Sequence, residues 1–179
     1  ALYLEELLAL RDFDALDDDT MVDYVTRALV DPTSRRPSIE TLLHGFLPAK
    51  HIDHVHADAI CALTNHPQGE KAVREALGEN FAYVDWVRPG FSLSKIVGGL
   101  SDYAGVVLAH HGLVVWDEDS DHCYQKTLDT VALADKYLDS LNKRPAANFQ
   151  HQDLPDEELK DLLLKLRGTI GKKQLLRTD

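Results

Sequence analysis

Apolar side chains recur along the chain with two different spacings, and these spacings predict alternating helices and short strands. Spacings of three and four residues predict helices over residues 2–10, 20–29, 39–46, 58–65, 70–77, 91–100, 122–141 and 153–166. Short apolar or alternating runs predict strands over residues 50–56, 81–87 and 105–109, and residues 113–116 continue the last strand or return beside it. This alternation is typical of an α/β layered domain and leaves open whether the sheet is parallel.

The last third of the chain predicts a long amphipathic helix followed by a separate segment. The apolar stripe of the helix over residues 122–141 consists of Leu128, Val131, Ala134 and Leu138, with Asp135 interrupting it. A polar linker over residues 143–152 precedes the final helix, and an extended basic tail is expected over residues 168–179. We therefore expect one domain over residues 1–145 and a linker, helix and tail over residues 146–179.

Length, charge and cysteine usage narrow the class of protein. The 179 residues suit one globular domain with its own core. The formal net charge of −11 disfavours nucleic acid and anionic membranes as partners, because both require a basic surface. The two cysteines are too few for a disulfide framework, and no signal peptide or membrane-spanning run is recognisable. These features predict a cytoplasmic protein.

Two stretches hold five of the nine histidines. His54 and His56 are two residues apart in a predicted strand, so their side chains share a face about 6.6 Å apart along the backbone. His110 and His111 directly follow another predicted strand. Zinc sites that perform chemistry commonly use three protein ligands and keep one position open. The spacing predicts a divalent metal site in which the third ligand is His110 or His111.

The segment before the first histidine stretch carries candidate proton-transfer and anion-binding residues. Glu40 lies in the first turn of the predicted helix 39–46, where the helix dipole alone favours a carboxylate. The functional alternative is that Glu40 faces the metal and moves protons. Arg35, Arg36 and Ser38 cluster at the same helix start and form either a phosphate site or an ordinary solvated basic turn.

Four segments together resemble the class II aldolase/adducin family. They are residues 38–46 (SIETLLHGF), 50–56 (KHIDHVH), 88–91 (RPGF) and 111–113 (HGL). Within the family, the similarity is closest to the aldolase domain of bifunctional rhamnulose-1-phosphate aldolase/lactaldehyde dehydrogenase proteins. The resemblance covers most of residues 1–145.

The resemblance implies a fold and a set of site residues. The expected fold is a three-layer α/β/α domain with a central, mainly antiparallel sheet, lacking its N-terminal part and with it a glycine-rich phosphate loop. The expected cofactor is Zn²⁺ or another divalent metal, held by His54, His56 and His111. Glu40 corresponds to the family's catalytic acid/base.

The resemblance also implies an activity. The expected reaction is zinc-dependent cleavage of a ketose 1-phosphate, such as rhamnulose 1-phosphate, to dihydroxyacetone phosphate and an aldehyde. The expected partners are a small phosphorylated sugar and further copies of the chain in a homo-oligomer. The alternatives are a sugar-phosphate epimerase or dehydratase of the same family, and a non-catalytic module like the adducin head.

Overall fold

A computed structural model describes residues 1–141 and 155–170. The chain divides into two compact units, residues 1–143 and residues 144–179, and each is described by itself. The predicted linker and residues 171–179 of the predicted tail lie outside the described residues. In the second unit, the predicted final helix is present as α8, Asp156–Ile170, so Gly168 belongs to a helix and not to an extended tail.

Helices and strands alternate in the first unit in the predicted order. The helices are α1 Leu4–Leu8, α2 Asp18–Arg27, α3 Thr41–Phe46, α4 Asp58–Thr64, α5 Gly69–Leu77, α6 Phe91–Gly98 and α7 Ser120–Leu141, with a 3-10 turn Ala9–Asp12 after α1. The strands are β1 His51–Val55, β2 Phe81–Val84, β3 Gly105–Leu108 and β4 Gly112–Asp117. Within the described residues, no helix is both long enough and apolar enough to cross a membrane.

The four strands form one sheet in the order β1-β4-β3-β2. β4 returns beside β3 and pairs with it antiparallel, and β1 pairs antiparallel with the other edge of β4. β2 and β3 are parallel, because α6 connects them by a crossover. The prediction of a mainly antiparallel central sheet is confirmed.

Both faces of this sheet are covered by helices, so the predicted three-layer α/β/α arrangement is also confirmed. Val107, Leu113 and Val115 pack with apolar residues of α4, α5 and α7 on one face. Val106 and Val114 pack with residues of α3 and α6 on the other face. Alternate residues of β3 and β4 point to opposite faces, which explains why both strands are apolar throughout.

The buried face of α7 differs from its predicted apolar stripe. Leu128 is 44% exposed, whereas Thr127 and Thr130 are buried. The Thr127 hydroxyl donates to the Cys123 carbonyl oxygen at 3.0 Å, and the Thr130 hydroxyl donates to the Lys126 carbonyl oxygen at 2.7 Å. Because these bonds satisfy both hydroxyls, small threonine side chains can be buried at little cost where the helix approaches the sheet.

Candidate metal centre

The first two imidazoles of the site come from the end of β1. β1 ends at Val55, so His54 lies within the strand and His56 one residue beyond it. Their Nε2 atoms are 3.1 Å apart. His54 Nδ1–H donates to the Leu113 carbonyl oxygen at 3.0 Å, which leaves the Nε2 lone pair of His54 directed into the site.

The third imidazole comes from the turn between β3 and β4. The His111 backbone N–H donates to the Leu108 carbonyl oxygen at 3.2 Å, and His110 has a positive φ of 55°. This turn brings His111 Nε2 to 3.3 Å from His54 Nε2. The His110 ring is directed elsewhere, where its Nδ1–H donates to Asn65 Oδ1 at 2.8 Å. Of the two histidines that the spacing left open, His111 therefore joins the cluster.

Gly112 allows β4 to start directly against the end of β1. A Cβ atom at this position would lie 2.5 Å from the Val55 carbonyl oxygen and 2.8 Å from Cδ2 of His56. These distances are too short for any side chain. The absence of a side chain at Gly112 thus lets the turn and the strand end approach closely enough for their histidines to meet.

Glu40, which directly precedes α3, is the fourth member of the cluster. It occupies the N-cap position of α3, not the first helical turn as predicted, and its side chain makes no capping hydrogen bond. Its Oε1 lies 3.0 Å from His111 Nε2 and 3.4 Å from His54 Nε2. This buried oxygen has no partner with hydrogen-bonding geometry among the described residues. An unsatisfied buried carboxylate oxygen beside three imidazoles is better explained by a cation site than by helix capping.

The donor atoms have a spacing that suits a divalent ion. One ligand atom from each of Glu40, His54, His56 and His111 lies within 4.8 Å of the others. Tetrahedral ligands at Zn–N distances of about 2.0–2.1 Å are separated by roughly 3.3 Å, close to the 3.1 and 3.3 Å between imidazole nitrogens. Unprotonated Nε2 atoms this close repel each other unless a cation lies between them. Imidazole and carboxylate donors suit zinc and other first-row divalent ions.

Burial favours the neutral form of two histidines in this region. Burial lowers the pKa of His111, although the Glu40 carboxylate opposes this shift. Burial also lowers the pKa of His44, whose ring packs edge-on against His54 with 6.5 Å between centroids. Neutral imidazole is the form that binds metal.

The predicted phosphate-binding residues lie in the segment that leads to Glu40. Ser38 Oγ accepts a hydrogen bond from the Glu40 backbone N–H at 3.2 Å, and Arg35 and Arg36 are exposed. α3 begins at Thr41 and has only six residues, so the helix-dipole argument for an anion site is weaker than the predicted helix suggested. Phosphate binding by Ser38, Arg35 and Arg36 stays a prediction.

The sequence analysis did not predict the hydrogen bonds that orient the rings of His54 and His110. Asn65 bonds the ring of His110 from 45 residues away, and the Leu113 carbonyl oxygen orients His54 from 59 residues away. No signal in the sequence identifies either partner, because both contacts depend on how α4 and β4 pack. The thiol of Cys61, a residue of α4, lies 3.5 Å from the His111 carbonyl oxygen.

A three-histidine, one-glutamate cluster on an α/β/α domain defines a candidate divalent-metal protein, and sequence comparison gives its family. The family described as "Class II Aldolase and Adducin N-terminal domain" matches residues 10–138. The chain belongs to this family.

Two individual relatives are similar to this chain over different shares of their length. The chain is 38% identical over 190 aligned residues to "Uncharacterized oxidoreductase YuxG" of Bacillus subtilis, covering 99% of this chain and 28% of that protein. It superposes with a TM-score of 0.72 and 33% identity on the N-terminal class II aldolase domain of a conserved Thermoplasma acidophilum protein, covering 76% of this chain and 65% of that one. The chain thus spans less than two thirds of both relatives.

A third similarity concerns the fold alone. An aldolase II superfamily protein from Pseudomonas syringae superposes with a TM-score of 0.52 at 15% identity, covering 75% of this chain and 58% of that one. Together with the Thermoplasma domain, it confirms the predicted class II aldolase-like fold.

Proposed function

We propose that this domain belongs to a zinc-dependent aldolase that cleaves a ketose 1-phosphate, such as rhamnulose 1-phosphate, to dihydroxyacetone phosphate and an aldehyde. The observation that carries the proposal is the convergence of three imidazole Nε2 atoms and Glu40 Oε1 at one point. Membership of a generally catalytic superfamily supports it. The choice of zinc and of the substrate rests on the resemblance of residues 38–46, 50–56, 88–91 and 111–113 to the rhamnulose-phosphate group.

The three imidazoles would hold the ion. His54, His56 and His111 are neutral ligands, so an ion bound by them keeps its full positive charge. A divalent ion there would act as a Lewis acid for the negative charge that develops on a substrate oxygen as the carbon–carbon bond breaks. The orientation of His54 by the Leu113 carbonyl oxygen keeps its Nε2 available for this role.

Glu40 would move the proton. Its side chain is 21% exposed and its Oε1 is buried, so the carboxyl group can reach a substrate bound at the cluster while being shielded from bulk water. In the cleavage direction, the Glu40 carboxylate accepts the proton of the hydroxyl group that becomes the aldehyde oxygen, and the resulting carboxylic acid donates it to the carbon that has lost its bonding partner. In the reverse direction, its carboxylate removes that proton.

The remaining parts of the proposal concern partners and location. We propose a small phosphorylated sugar as substrate, with Ser38, Arg35 and Arg36 contributing to phosphate binding, and self-association of the chain. Nucleic acid and membrane surfaces are disfavoured by the net charge of −11. A reducing, cytoplasmic location is part of the proposal because Cys61 and Cys123 are both free thiols.

The oxidoreductase name of the Bacillus subtilis relative applies to a protein of which this chain covers 28%. We propose that any such activity belongs to the part of that protein outside the region of similarity. The reason is that the present sequence has no G-x-G-x-x-G motif after a strand, which dinucleotide-binding domains of the Rossmann type carry.

The test combines metal analysis with an assay on the full-length protein. We expect about one divalent ion per chain and release of dihydroxyacetone phosphate from at least one ketose 1-phosphate. Glu40→Gln should keep the metal and lose about 10²- to 10⁴-fold in turnover, because it removes the proton-transfer group. Glu79→Gln, an exposed carboxylate on the surface, is the matched control and should behave as wild type.

Two outcomes would contradict the aldolase proposal. Formation of an epimer or a dehydrated sugar without dihydroxyacetone phosphate would assign the same site to an epimerase or dehydratase. Protein that binds no divalent ion, and is unaffected by substitution of its clustered histidines, would favour the non-catalytic module. Normal turnover by the Glu40→Gln variant would remove Glu40 from the mechanism.

A further inference from the structure

We infer that Asn65 and His110 form a positioning pair for the third histidine. The hydrogen bond between their side chains holds the turn after β3 in the conformation that directs His111 at His54 and Glu40. The inference rests on the proposed metal site, because the histidine it positions is one of the three candidate ligands. Neither member of the pair belongs to the cluster itself.

The backbone of this turn has an unfavourable conformation at His110 that contacts from outside the turn stabilise. His110 is the one non-glycine residue with a positive φ among those that the structure describes. Left-handed backbone is disfavoured for residues with a Cβ atom, and such conformations persist where surrounding contacts impose them. In a turn closed by the His111 N–H and the Leu108 carbonyl oxygen, the third residue with positive φ is the position that glycine and asparagine prefer. The side-chain contact of His110 therefore helps to hold it in this conformation.

The contact comes from the end of α4. His110 Nδ1–H donates to Asn65 Oδ1 at 2.8 Å, and the Asn65 backbone N–H is itself bonded to the Cys61 carbonyl oxygen at 2.9 Å. The helix is a firm support, because its Ile60 and Leu63 side chains are almost completely buried, with 0% and 1% exposure.

A second contact from the same helix reaches the next residue of the turn. The Cys61 thiol lies 3.5 Å from the carbonyl oxygen of His111 and donates a weak hydrogen bond to it. α4 thus contacts the turn at two successive residues, at the side chain of His110 and at the backbone of His111. Both contacts lie behind the cluster, so they can set its geometry without touching substrate.

The consequence for His111 follows from the short connection. β4 begins at Gly112, directly after His111, so the conformation of the turn sets the backbone direction from which the His111 side chain projects. If His110 relaxed to a negative φ, the chain direction at residue 111 would change. His111 Nε2 would then leave its position 3.3 Å from His54 Nε2 and 3.0 Å from Glu40 Oε1.

The experiment measures divalent-metal affinity and turn order in five variants of the full chain. Competition with a chromophoric chelator gives Zn²⁺ and Co²⁺ affinities, and the absorption bands of bound Co²⁺ report the coordination geometry. Asn65→Ala and His110→Ala should each weaken binding by about 3- to 10-fold, the range expected for one hydrogen bond, and change the Co²⁺ spectrum. The double variant should be no weaker than the worse single variant, because both remove the same bond.

Two matched substitutions separate positioning from general destabilisation. Asn65→Asp keeps an acceptor oxygen and should retain at least wild-type affinity. Asn80→Ala removes an exposed asparagine elsewhere and should change neither affinity nor spectrum. Hydrogen exchange of the His111 amide in metal-free protein gives a readout that needs no metal, and it should be faster in Asn65→Ala than in Asn80→Ala.

The outcomes distinguish this inference from the proposed function. If wild-type protein binds no divalent ion, the proposed function fails, and the exchange of the His111 amide still decides whether the pair holds the turn. Unchanged exchange together with unchanged affinity in Asn65→Ala overturns the inference while leaving the metal site intact. Fully additive losses in the double variant would also overturn it, since they would mean that Asn65 and His110 act independently.

Discussion

The strand end that carries His54 and His56 and the turn that carries His111 supply the same kind of ligand by different means. The ladder to β4 holds β1 along residues 51–55, and His56, one residue beyond the strand, is two positions from His54 and on the same face. In the turn, His111 reaches the site through a left-handed residue and a glycine without room for a side chain. The strand end therefore depends on a regular structure, whereas the turn depends on individual contacts.

This difference predicts where the site tolerates change. A residue beside His54 can vary as long as it keeps the strand paired, because the backbone sets the direction of the imidazole. Around His111, replacement of Gly112 or of the partner of His110 changes the backbone itself. We expect ligands from both regions to contribute similarly to metal affinity. Substitution of a neighbouring residue should weaken metal binding more around His111 than around His54.

The largest expected effect comes from removing one imidazole in each region. His54→Ala and His111→Ala should each weaken Zn²⁺ binding by more than about 100-fold, because each removes a direct ligand. Losing a residue that only hydrogen-bonds a ligand side chain already costs about 10- to 100-fold. Chelator competition measures the affinities, and His122→Ala, an exposed histidine on α7, is the control. Wild-type affinity in either variant would show that the substituted histidine is not a metal ligand, and the contrast between the two regions would then fail.

A smaller effect is expected from adding one methyl group at the turn. Gly112→Ala should lower the free energy of unfolding by about 1–3 kcal/mol, because the new Cβ would overlap the Val55 carbonyl oxygen and the His56 ring. It should also weaken metal binding by separating the two regions. Urea unfolding of metal-free protein measures the first effect. Gly99→Ala, where a Cβ meets its nearest atom at 3.4 Å, should change stability by less than about 0.5 kcal/mol.

The smallest effect concerns the pH dependence of the turn histidine. Burial lowers the pKa of His111 below its ordinary 6.5, so in metal-free protein the unfolded state takes up a proton at a higher pH than the folded state does. Stability should therefore fall as the pH decreases below about 6.5, and it should level off below the pKa of the folded protein. His111→Gln should make this decrease shallower. Denaturant unfolding between pH 8 and pH 5 tests it, and equal slopes for both proteins would contradict the assignment.

Much of the fold could be predicted because its signals are local. The order of helices and strands follows from apolar spacing, which reports which face of an element is buried. For α7 the helix is confirmed, and Val131, Ala134 and Leu138 of its predicted stripe pack in or against the core. The stripe was wrong at Leu128, which is exposed, whereas Thr127 is buried. A threonine hydroxyl can be buried when it donates its proton to a carbonyl oxygen of its own helix, and the Thr127 hydroxyl shares that proton with Asp53 Oδ2 at 3.0 Å. Composition alone does not show this.

The residues of the candidate site also divide into those that local sequence patterns predict and those that packing decides. The two-residue spacing of His54 and His56 predicts that they share a face. The choice between His110 and His111 could not be made from spacing, because strand alternation stops where the turn begins. The resemblance to a family selected His111, and the positive φ of His110 provides the physical reason. The sequence also left open whether Glu40 serves the helix or faces the metal. Its position before α3 and the direction of its side chain depend on where that helix starts.

By itself, the sequence determined the layered α/β class, the family and a pair of imidazoles on one face of a strand. These properties depend on residue types and on separations of a few positions, over which backbone geometry is regular. Only the tertiary structure decided that β4 returns beside β1, that Gly112 lets the two segments meet, and that Glu40 closes the cluster. These contacts join residues 14 to 71 positions apart in the chain, as Glu40 is to His54 and to His111, and side-chain packing between elements decides them.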